Sequence, residues 1–263
     1  MSGKENESEY YDSMLDLLEW IWGEGFMAPG GEGNVDRLVG GRDIREKRVL
    51  DIGSGLGGPA FILARKYGAQ VTGTDLEPHL VARATDRARA LGLDGQVEFT
   101  QVQAGPMDFA DDTFDLVVSS GAITQTADKL GIFSEIFRVL KPGGALSCYD
   151  WMKDTGDYSP EMLRWFELEG LTYAMETLER HGEILAEAGF IDIGLEDASD
   201  WYRIECRKEY ELLIGEGYGE VVRLIGQKDA DHLIESWKVM AFLCENGEMR
   251  QGYCRAVKPQ AGH

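Results

Sequence analysis

The 263-residue chain is long enough to bury a substantial core, and its 47 acidic against 26 basic residues give a formal net charge of −21. A surface this acidic repels phosphate backbones and anionic membranes, which excludes nucleic acid and membrane partners. The apolar fraction of 43% is that of an ordinary globular protein, so we expect a single domain over residues 1–263.

The cysteines and histidines, four of each, are scattered along the chain without the spacing of metal ligands or of a disulfide framework. The amino terminus lacks an apolar signal region, and no apolar run approaches the length of a membrane span. We therefore expect a soluble cytoplasmic protein with reduced thiols and no metal site.

The first predicted element is an amphipathic helix from Tyr10 to Trp22, because apolar side chains recur there three and four residues apart. A loop rich in glycine and apolar residues follows at 23–31, in front of the first predicted strand. A loop in this place can close over a ligand. We predict that segment 8–31 forms an amino-terminal helix and a lid.

The stretch from Arg48 to Gly58 reads RVLDIGSGLGG and predicts a buried strand, a glycine turn and the start of a helix. Asp51 interrupts the apolar strand near its carboxyl end, where an open parallel sheet binds its ligands. Gly53, Gly55 and Gly57 let the backbone turn tightly and lie close to a bound molecule. The free N–H groups of the helix would face that molecule.

A second apolar strand from Gln70 to Gly73 leads to Asp75. An acid at this strand tip is placed to accept hydrogen bonds from both ribose hydroxyls of an adenosine. A nicotinamide-binding loop would read G-x-G-x-x-G and usually lack an acid within the strand, which disfavours an oxidoreductase. The D-x-G-x-G-x-G loop and the acid after it instead resemble motif I and the next acidic motif of class I S-adenosylmethionine-dependent methyltransferases.

Strands and helices continue to alternate through residue 150, which predicts a doubly wound α/β sheet with right-handed crossovers. Further strands are predicted at Gln96–Val102, Thr113–Ser119, Ala145–Asp150, Phe190–Leu195 and Met249–Val257. The last of them is predicted at an edge of the sheet. The resulting fold class is a Rossmann-like, seven-stranded and mostly parallel sheet, and segments 151–181 and 198–246 are predicted to be helical caps over the ligand crevice.

Within this superfamily, the chain from Tyr10 to Lys258 resembles the phosphoethanolamine N-methyltransferases. The resemblance is carried by Gly23-Glu24 with Gly30-Gly31, the DIGSGLGG loop, Leu140-Lys141-Pro142 and Gly252-Tyr253. It implies that S-adenosylmethionine is the cofactor. The cofactor contacts that it implies are Met27, Ala28, Asp51, Gly53, Ser54, Gly55, Gly57, Asp75, Leu76, Gln103, Ala104, Ser119 and Ser120. Gln103 stands where the family usually has an Asp, and its amide oxygen can still accept from the adenine amino group.

The acceptor side departs further from the family. Tyr10 matches the tyrosine of the family's catalytic pair, but Gln125 stands at the position of its histidine and cannot act as a base. The family's Asp after the fourth strand is Gly121 here. Its phosphate-binding Arg and Lys align with Leu171 and Met240.

Two aromatic residues stand at substrate-binding positions. Trp151 replaces a tyrosine of the family, and Tyr173 keeps its type. Together with Tyr10 they can hold a cationic amine by cation–π contact, at roughly 0.5 to 2 kcal/mol each, although ordinary core packing is the alternative for each of them.

These residues predict methyl transfer to a small molecule, with an amine nitrogen as the expected acceptor. Phosphoethanolamine is not expected, because a phosphate would be buried without a cation. Two alternatives stay open: methylation of a thioether or another nucleophile that needs no deprotonation, and a non-catalytic S-adenosylmethionine-binding protein. We expect a monomer or a homodimer.

Overall fold

The computed structural model describes the backbone of residues 4–262 and the side chains of residues 12–262. Within these residues the strands are β1 (Arg48–Ile52), β2 (Gln70–Asp75), β3 (Val97–Gln101), β4 (Phe114–Ser120), β5 (Leu140–Lys153), β6 (Ile191–Asp197) and β7 (Met249–Val257). The helices are α1 (Lys4–Trp22), α2 (Gly31–Val39), α3 (Gly58–Tyr67), α4 (Pro78–Ala90), α5 (Lys129–Val139), α6 (Pro160–Glu169), α7 (Leu178–Glu187), α8 (Ser199–Ile214), α9 (Tyr218–Ile225) and α10 (Gln227–Glu245). A single 3₁₀ turn spans Ile123–Gln125.

The described strands form one seven-stranded sheet in the order β3-β2-β1-β4-β5-β7-β6. β3, β2, β1, β4 and β5 are parallel, and β7 runs antiparallel to both of its neighbours. The predicted Rossmann-like fold class is therefore confirmed. The order reverses between β1 and β4, so the ligand crevice of such a sheet lies at the carboxyl ends of these strands.

The prediction that Met249–Val257 is an edge strand is wrong, because β7 lies between β5 and β6. Most residues of β7 are buried, whereas β6 is largely exposed and carries acidic residues. Acidic side chains suit an edge, where they oppose pairing with another strand. The outer strands are thus β3 and β6.

The adjacent apolar residues Val49 and Leu50 of β1 are explained by burial on both faces of the sheet. Val49 packs into a cluster with α2, α3 and α4, and Leu50 packs into a second cluster with α5 and α7. Neither side chain is exposed to solvent. This double cover fixes the carboxyl end of β1, and with it the start of the glycine loop.

A third apolar cluster joins α1, α6, α8, α9 and α10 and includes Trp151 at the end of β5. The long helical region predicted at 198–246 is three helices, which are broken at Gly215–Gly217 and again at Gly226. Gly226 has a φ of 81°, a conformation that L side chains rarely adopt. None of the described helices is both long and apolar enough to cross a bilayer.

Candidate active site

The glycine loop after β1 leaves no room for side chains. Gly53, Gly55 and Gly57 have φ values of 69°, 51° and 88°. A β-carbon added at Gly57 would come within 2.7 Å of the Phe99 ring, and one at Gly53 would overlap Ala122. Glycine at these positions is required by both the backbone and the space around it.

Asp75 is held in place by the same loop. Its Oδ2 accepts a hydrogen bond from the Gly55 N–H at 2.9 Å, and its Oδ1 accepts from the Glu77 N–H at 3.0 Å. A carboxylate has about four acceptor sites, so two remain for hydroxyl donors. The carboxylate is thereby oriented towards the crevice before any ligand binds, as a ribose contact requires.

Asp51 and Ser54 contribute buried polar atoms that lack partners. Asp51 is 1% exposed, and neither its Oδ2 nor the Ser54 hydroxyl is hydrogen-bonded among the described residues. Burial, with the nearby charge of Asp75, raises the pKa of Asp51 to about 7. Orphaned polar atoms beside a loop that admits no side chain fit a polar ligand such as S-adenosylmethionine.

The predicted lid rests directly on the glycine loop. The Gly58 N–H, at the start of α3, donates to the Gly25 carbonyl oxygen at 2.9 Å. A β-carbon at Gly55 would lie 2.9 Å from the Met27 sulfur. The sulfur-bearing side chain of Met27 also packs with an apolar cluster of Leu15, Leu56 and Leu80.

Glu19 anchors the lid at its amino-terminal end. Its carboxylate accepts from the Gly25 N–H and forms an ion pair with Arg87 of α4. Burial acts to raise the pKa of Glu19, but the hydrogen bonds from Arg87 and Gly25 outweigh it, and the pKa is lowered. The carboxylate is therefore ionised at neutral pH and ties the lid to the second crossover helix.

The carboxyl end of β4 forms the opposite wall. The Ser119 hydroxyl donates to the Ile52 carbonyl at 3.0 Å, and the Ser120 hydroxyl accepts from the Asn34 amide at 2.9 Å. Asn34 is itself buried and accepts from the Tyr253 hydroxyl at 2.6 Å. Sequence reasoning missed Asn34, although a polar residue on the apolar face of α2 was a visible signal.

Several predicted cofactor residues lie at the rim. Leu76 is 52% exposed at the tip of β2, and Gln103 and Ala104 are exposed in the loop after β3. Ala28 of the lid lies 3.6 Å from the position of a β-carbon at Gly121. These assignments, like those of the loop and of β4, stay predictions.

Gln125 lies in the 3₁₀ turn, where its side chain is exposed. The turn itself is held by the Lys129 ammonium group, which donates to the carbonyl oxygens of Ile123, Thr124 and Thr126 at 2.7, 3.3 and 2.6 Å. Lys129 is only 4% exposed. A buried lysine therefore fixes the backbone that carries the predicted catalytic Gln125.

Asp150, at the carboxyl end of β5, is the counter-charge of Lys129. It is 2% exposed and accepts from the Trp151 N–H at 2.9 Å. Burial raises the pKa of Asp150 and lowers that of Lys129, and their mutual attraction opposes both shifts. Neither residue was singled out from the sequence.

The predicted acceptor residues Trp151 and Tyr173 lie together, with ring centroids 6.3 Å apart. Trp165 stacks on Tyr173 at 4.7 Å. The Ala174 N–H donates to the Thr124 carbonyl at 2.9 Å, so this aromatic group adjoins the turn that carries Gln125.

The remaining acceptor positions are distributed differently. Leu171 is 45% exposed, whereas Met240 is buried and its sulfur accepts from the Tyr202 hydroxyl at 3.3 Å. Tyr10 lies in α1 but outside the described side chains. Within the described residues, no group of three or more His, Cys, Asp and Glu side chains is arranged to hold a metal ion.

Comparisons with known proteins agree with this geometry. A family model described as a methyltransferase domain matches residues 49–144. The chain is 30% identical over 245 residues to a phosphoethanolamine N-methyltransferase of Triticum aestivum, a match that covers 93% of this chain and 48% of that protein. It is 26% identical to the phosphoethanolamine N-methyltransferase of Plasmodium falciparum over 95% of this chain and 94% of the other.

A solved structure gives the same picture. The phosphoethanolamine N-methyltransferase 2 of Haemonchus contortus, in complex with phosphomonomethylethanolamine and S-adenosylhomocysteine, aligns with a TM-score of 0.87 and 29% identity. The alignment covers 96% of this chain and 59% of that one.

Residues 49–144 match a methyltransferase domain, and the sheet and the glycine loop with Asp75 are similar to those of class I S-adenosylmethionine-dependent methyltransferases. Within that class the chain resembles the phosphoethanolamine N-methyltransferases. It spans about half the length of the plant relatives that it matches.

Proposed function

We propose that this protein transfers a methyl group from S-adenosylmethionine to the nitrogen of a small-molecule amine. The observation that carries the proposal is the crevice at the carboxyl ends of β1 and β2. There Asp75 is oriented by the Gly55 N–H, and the glycine loop admits no side chain. The fold is similar to that of a relative named as a phosphoethanolamine N-methyltransferase, which supports transfer to a nitrogen.

Bound S-adenosylmethionine would supply a methyl group activated by its sulfonium charge, and S-adenosylhomocysteine would leave as the nucleophile bonds to the methyl carbon. The protein contributes binding and orientation. Asp75 would accept from the ribose hydroxyls, and Asp51 and Ser54 would offer their unpaired buried atoms to the polar part of the ligand. Met27 of the predicted lid packs against the loop and would exclude water. Because the methyl group is already activated by the sulfonium charge, the positioning of donor and acceptor supplies most of the rate enhancement.

The acceptor side supports an amine rather than a phosphate ester. Trp151 is partly exposed and packs against Tyr173 and Trp165, which are themselves buried, so the aromatic face on offer to a cation is that of Trp151. Leu171 and Met240 stand where the family has phosphate-binding cations, and the net charge of the chain is −21. Leu171 is exposed, but a doubly charged phosphate beside the buried Met240 would lack a cation, at a cost of several kcal/mol. The acceptor is therefore neutral, zwitterionic or cationic.

The amide of Gln125 cannot take up a proton, so an amine acceptor arrives neutral or loses its proton to water or to another group. The rate therefore rises with pH towards the pKa of the amine. A thioether acceptor needs no deprotonation and would show no such rise. The loss of the family's histidine is the observation that keeps S-methylation as the second candidate.

The test is a screen with methyl-labelled cofactor against amines, thioethers and phosphobases, followed by a pH–rate profile on the acceptor found. We expect labelled amine, no appreciable turnover of phosphoethanolamine and a rate that rises with pH. A Gln125→His variant supplies a base at the turn and should flatten that rise. Gln70→His is the matched control, because Gln70 is exposed at the opposite end of β2.

Robust phosphoethanolamine turnover by the wild type would contradict the conclusion, drawn from Leu171 and Met240, that the acceptor carries no phosphate. Cofactor binding without transfer to any acceptor would favour a non-catalytic binding protein.

We also propose that residues 1–263 form one methyltransferase domain, with a helix and lid at 8–31 and helical caps at 151–181 and 198–246. Packing of α6, α8 and α10 into one apolar cluster around Trp151 supports the caps. We propose a cytoplasmic monomer or homodimer, and the four buried free cysteines are consistent with a reducing compartment. Light scattering on the purified protein measures the oligomeric state.

A further inference from the structure

Helix α8 buries a carboxylate on its apolar face. The buried residues of this helix are Tyr202, Cys206, Glu209 and Leu213, at the spacing of one helical face. Glu209 is 9% exposed. Its two oxygens accept from the indole N–H groups of Trp22 at 2.8 Å and of Trp237 at 3.1 Å.

Glu209 has neutral donors but no cation. Among the described ion pairs none includes this carboxylate. Burial raises the pKa of Glu209 to about 7, the two indole hydrogen bonds oppose that rise, and the nearby acid Glu205 adds to it. Burying a carboxylate without a counter-ion is costly. Two indole donors use about half of its acceptor sites, so it can still bind a cationic donor.

The surroundings of Glu209 are aromatic and continuous with the proposed acceptor residues. The rings of Trp22 and Trp237 are 5.9 Å apart. Tyr202 lies on the same helix face as Glu209, with its ring 6.5 Å from that of Trp151. Tyr202 and Trp237 belong to one apolar cluster, against which Trp22 and Trp151 also pack.

A second observation points to a ligand here. Tyr149 and Trp151 lie on one face of β5, two residues apart, and the Tyr149 hydroxyl and the Trp151 indole N–H are both buried without a partner among residues 12–262. Tyr149 is 2% exposed. Burial raises the pKa of its hydroxyl, and Tyr253 and Glu209 add to the shift, so the hydroxyl and the Glu209 carboxylate are close enough to interact.

We propose that Glu209 is the anionic anchor of the acceptor site: it binds the acceptor as an ammonium ion, which gives its proton to water before methyl transfer, and it then binds the methylated ammonium product. Trp22, Trp237 and Tyr202 enclose that cation with aromatic faces, and the hydroxyl of Tyr149 offers a hydrogen bond. Aromatic faces with one carboxylate are the surroundings that an alkylammonium ion prefers. This inference rests on the proposed function, and it names the acceptor as a cationic amine.

Trp22 also ends α1, directly before the lid loop. An acceptor bound at Glu209 therefore contacts the residue from which the lid extends. This places the anchor next to both the cap and the lid.

The probes are choline and its neutral carbon isostere 3,3-dimethylbutan-1-ol, titrated into the full chain saturated with S-adenosylhomocysteine. Tryptophan fluorescence and calorimetry report binding, because Trp22 and Trp237 line the site. We expect choline to bind about 10- to 100-fold more tightly than the isostere, from the attraction of its quaternary ammonium charge to the carboxylate and to the aromatic faces. Glu209→Gln should remove that difference. Glu205→Gln, one turn away and paired with Lys208 at 2.7 Å, should keep it.

Equal binding of choline and its isostere to the wild type, or no binding of either, overturns the proposal without any variant. So does a folded Glu209→Gln protein that keeps the preference for choline. The proposed function fails separately, through absence of S-adenosylhomocysteine binding or of labelled amine product. Amine methylation that is unchanged in Glu209→Gln would leave the function standing and remove Glu209 from the site.

Discussion

Replacing Lys129 by Met tests the buried support of the turn that carries Gln125. The substitution keeps the apolar stem and removes the ammonium group. Three carbonyl oxygens, those of Ile123, Thr124 and Thr126, lose their donor, and Asp150 loses its counter-charge.

Lys129 attracts Asp150 electrostatically but forms no direct ion pair with it among the described contacts. Leaving a buried acceptor without its donor costs about 1–3 kcal/mol, and three carbonyl oxygens are affected, so we expect a loss of about 3–5 kcal/mol. For a chain of this size each kcal/mol lowers the melting temperature by about 2–4 °C, so Lys129→Met should melt roughly 6–20 °C below the wild type. Asp150→Asn removes the other partner. The double variant should lose less stability than the sum of the single losses, because the second substitution no longer strands a charge.

Circular dichroism melts measure these differences, and Lys141→Met is the control. Lys141 pairs with Asp115 at 2.8 Å, but its side chain is 37% exposed, so its loss should cost no more than about 1 kcal/mol. A Lys129→Met melt indistinguishable from that of Lys141→Met, or strictly additive losses in the double variant, would show that the turn is held by other contacts.

The other two predictions concern the cofactor crevice. Gly55→Val should abolish S-adenosylhomocysteine binding in calorimetry, since the φ of Gly55 is 51° and a β-carbon there would lie 2.9 Å from the Met27 sulfur. The control Gly95→Val should bind normally, because a β-carbon at Gly95 meets open space. Retained binding in Gly55→Val would contradict this account of the loop. The pKa of Asp51 in the folded state is raised from 3.8 to about 7, so between these pH values the folded protein binds more protons at Asp51 than the unfolded chain does. The wild type should therefore lose stability relative to Asp51→Asn as the pH rises from about 4 to 7, by up to about 4 kcal/mol. Denaturant titrations across this range measure the difference, and a difference that is independent of pH would show that the pKa of Asp51 is not raised.

The sequence was most informative where one short segment determines its own conformation. Gly53, Gly55 and Gly57 were recognised because their spacing already specifies a tight turn after a buried strand, and each has the positive φ that favours glycine. Asp75 was found for the same reason, as the first acid after the second strand. These features need no knowledge of distant contacts.

Features that depend on long-range packing were not predicted. The prediction that β7 lies at an edge was wrong because the sequence of a strand does not indicate which other strands lie beside it. Lys129 and Asp150 are separated by 21 positions and meet only because α5 begins beside the end of β5. Lys129 follows the helix cap Asp128, where a lysine is ordinarily solvated.

Glu209 is an intermediate case. Its place in the helical repeat of Tyr202, Cys206 and Leu213 marks it as buried, and periodicity alone would have shown it. What the sequence could not give was the pair of indoles, since Trp22 and Trp237 are far from Glu209 along the chain. The burial of Glu209 could be predicted from the residues of its own helix, whereas its hydrogen-bond donors come from distant segments of the chain.

The hydrogen bond from Gly58 to Gly25 makes access to the crevice a local unfolding event. The predicted lid cannot lift without breaking two hydrogen bonds at Gly25. Its carbonyl oxygen accepts from the Gly58 N–H at the start of α3, and its N–H donates to the Glu19 carboxylate. Opening of the predicted lid therefore breaks backbone hydrogen bonds as well as side-chain contacts, and its frequency depends on the local stability of this part of the fold. Temperature and denaturant should then govern how often ligands exchange, well below the conditions at which the whole domain unfolds.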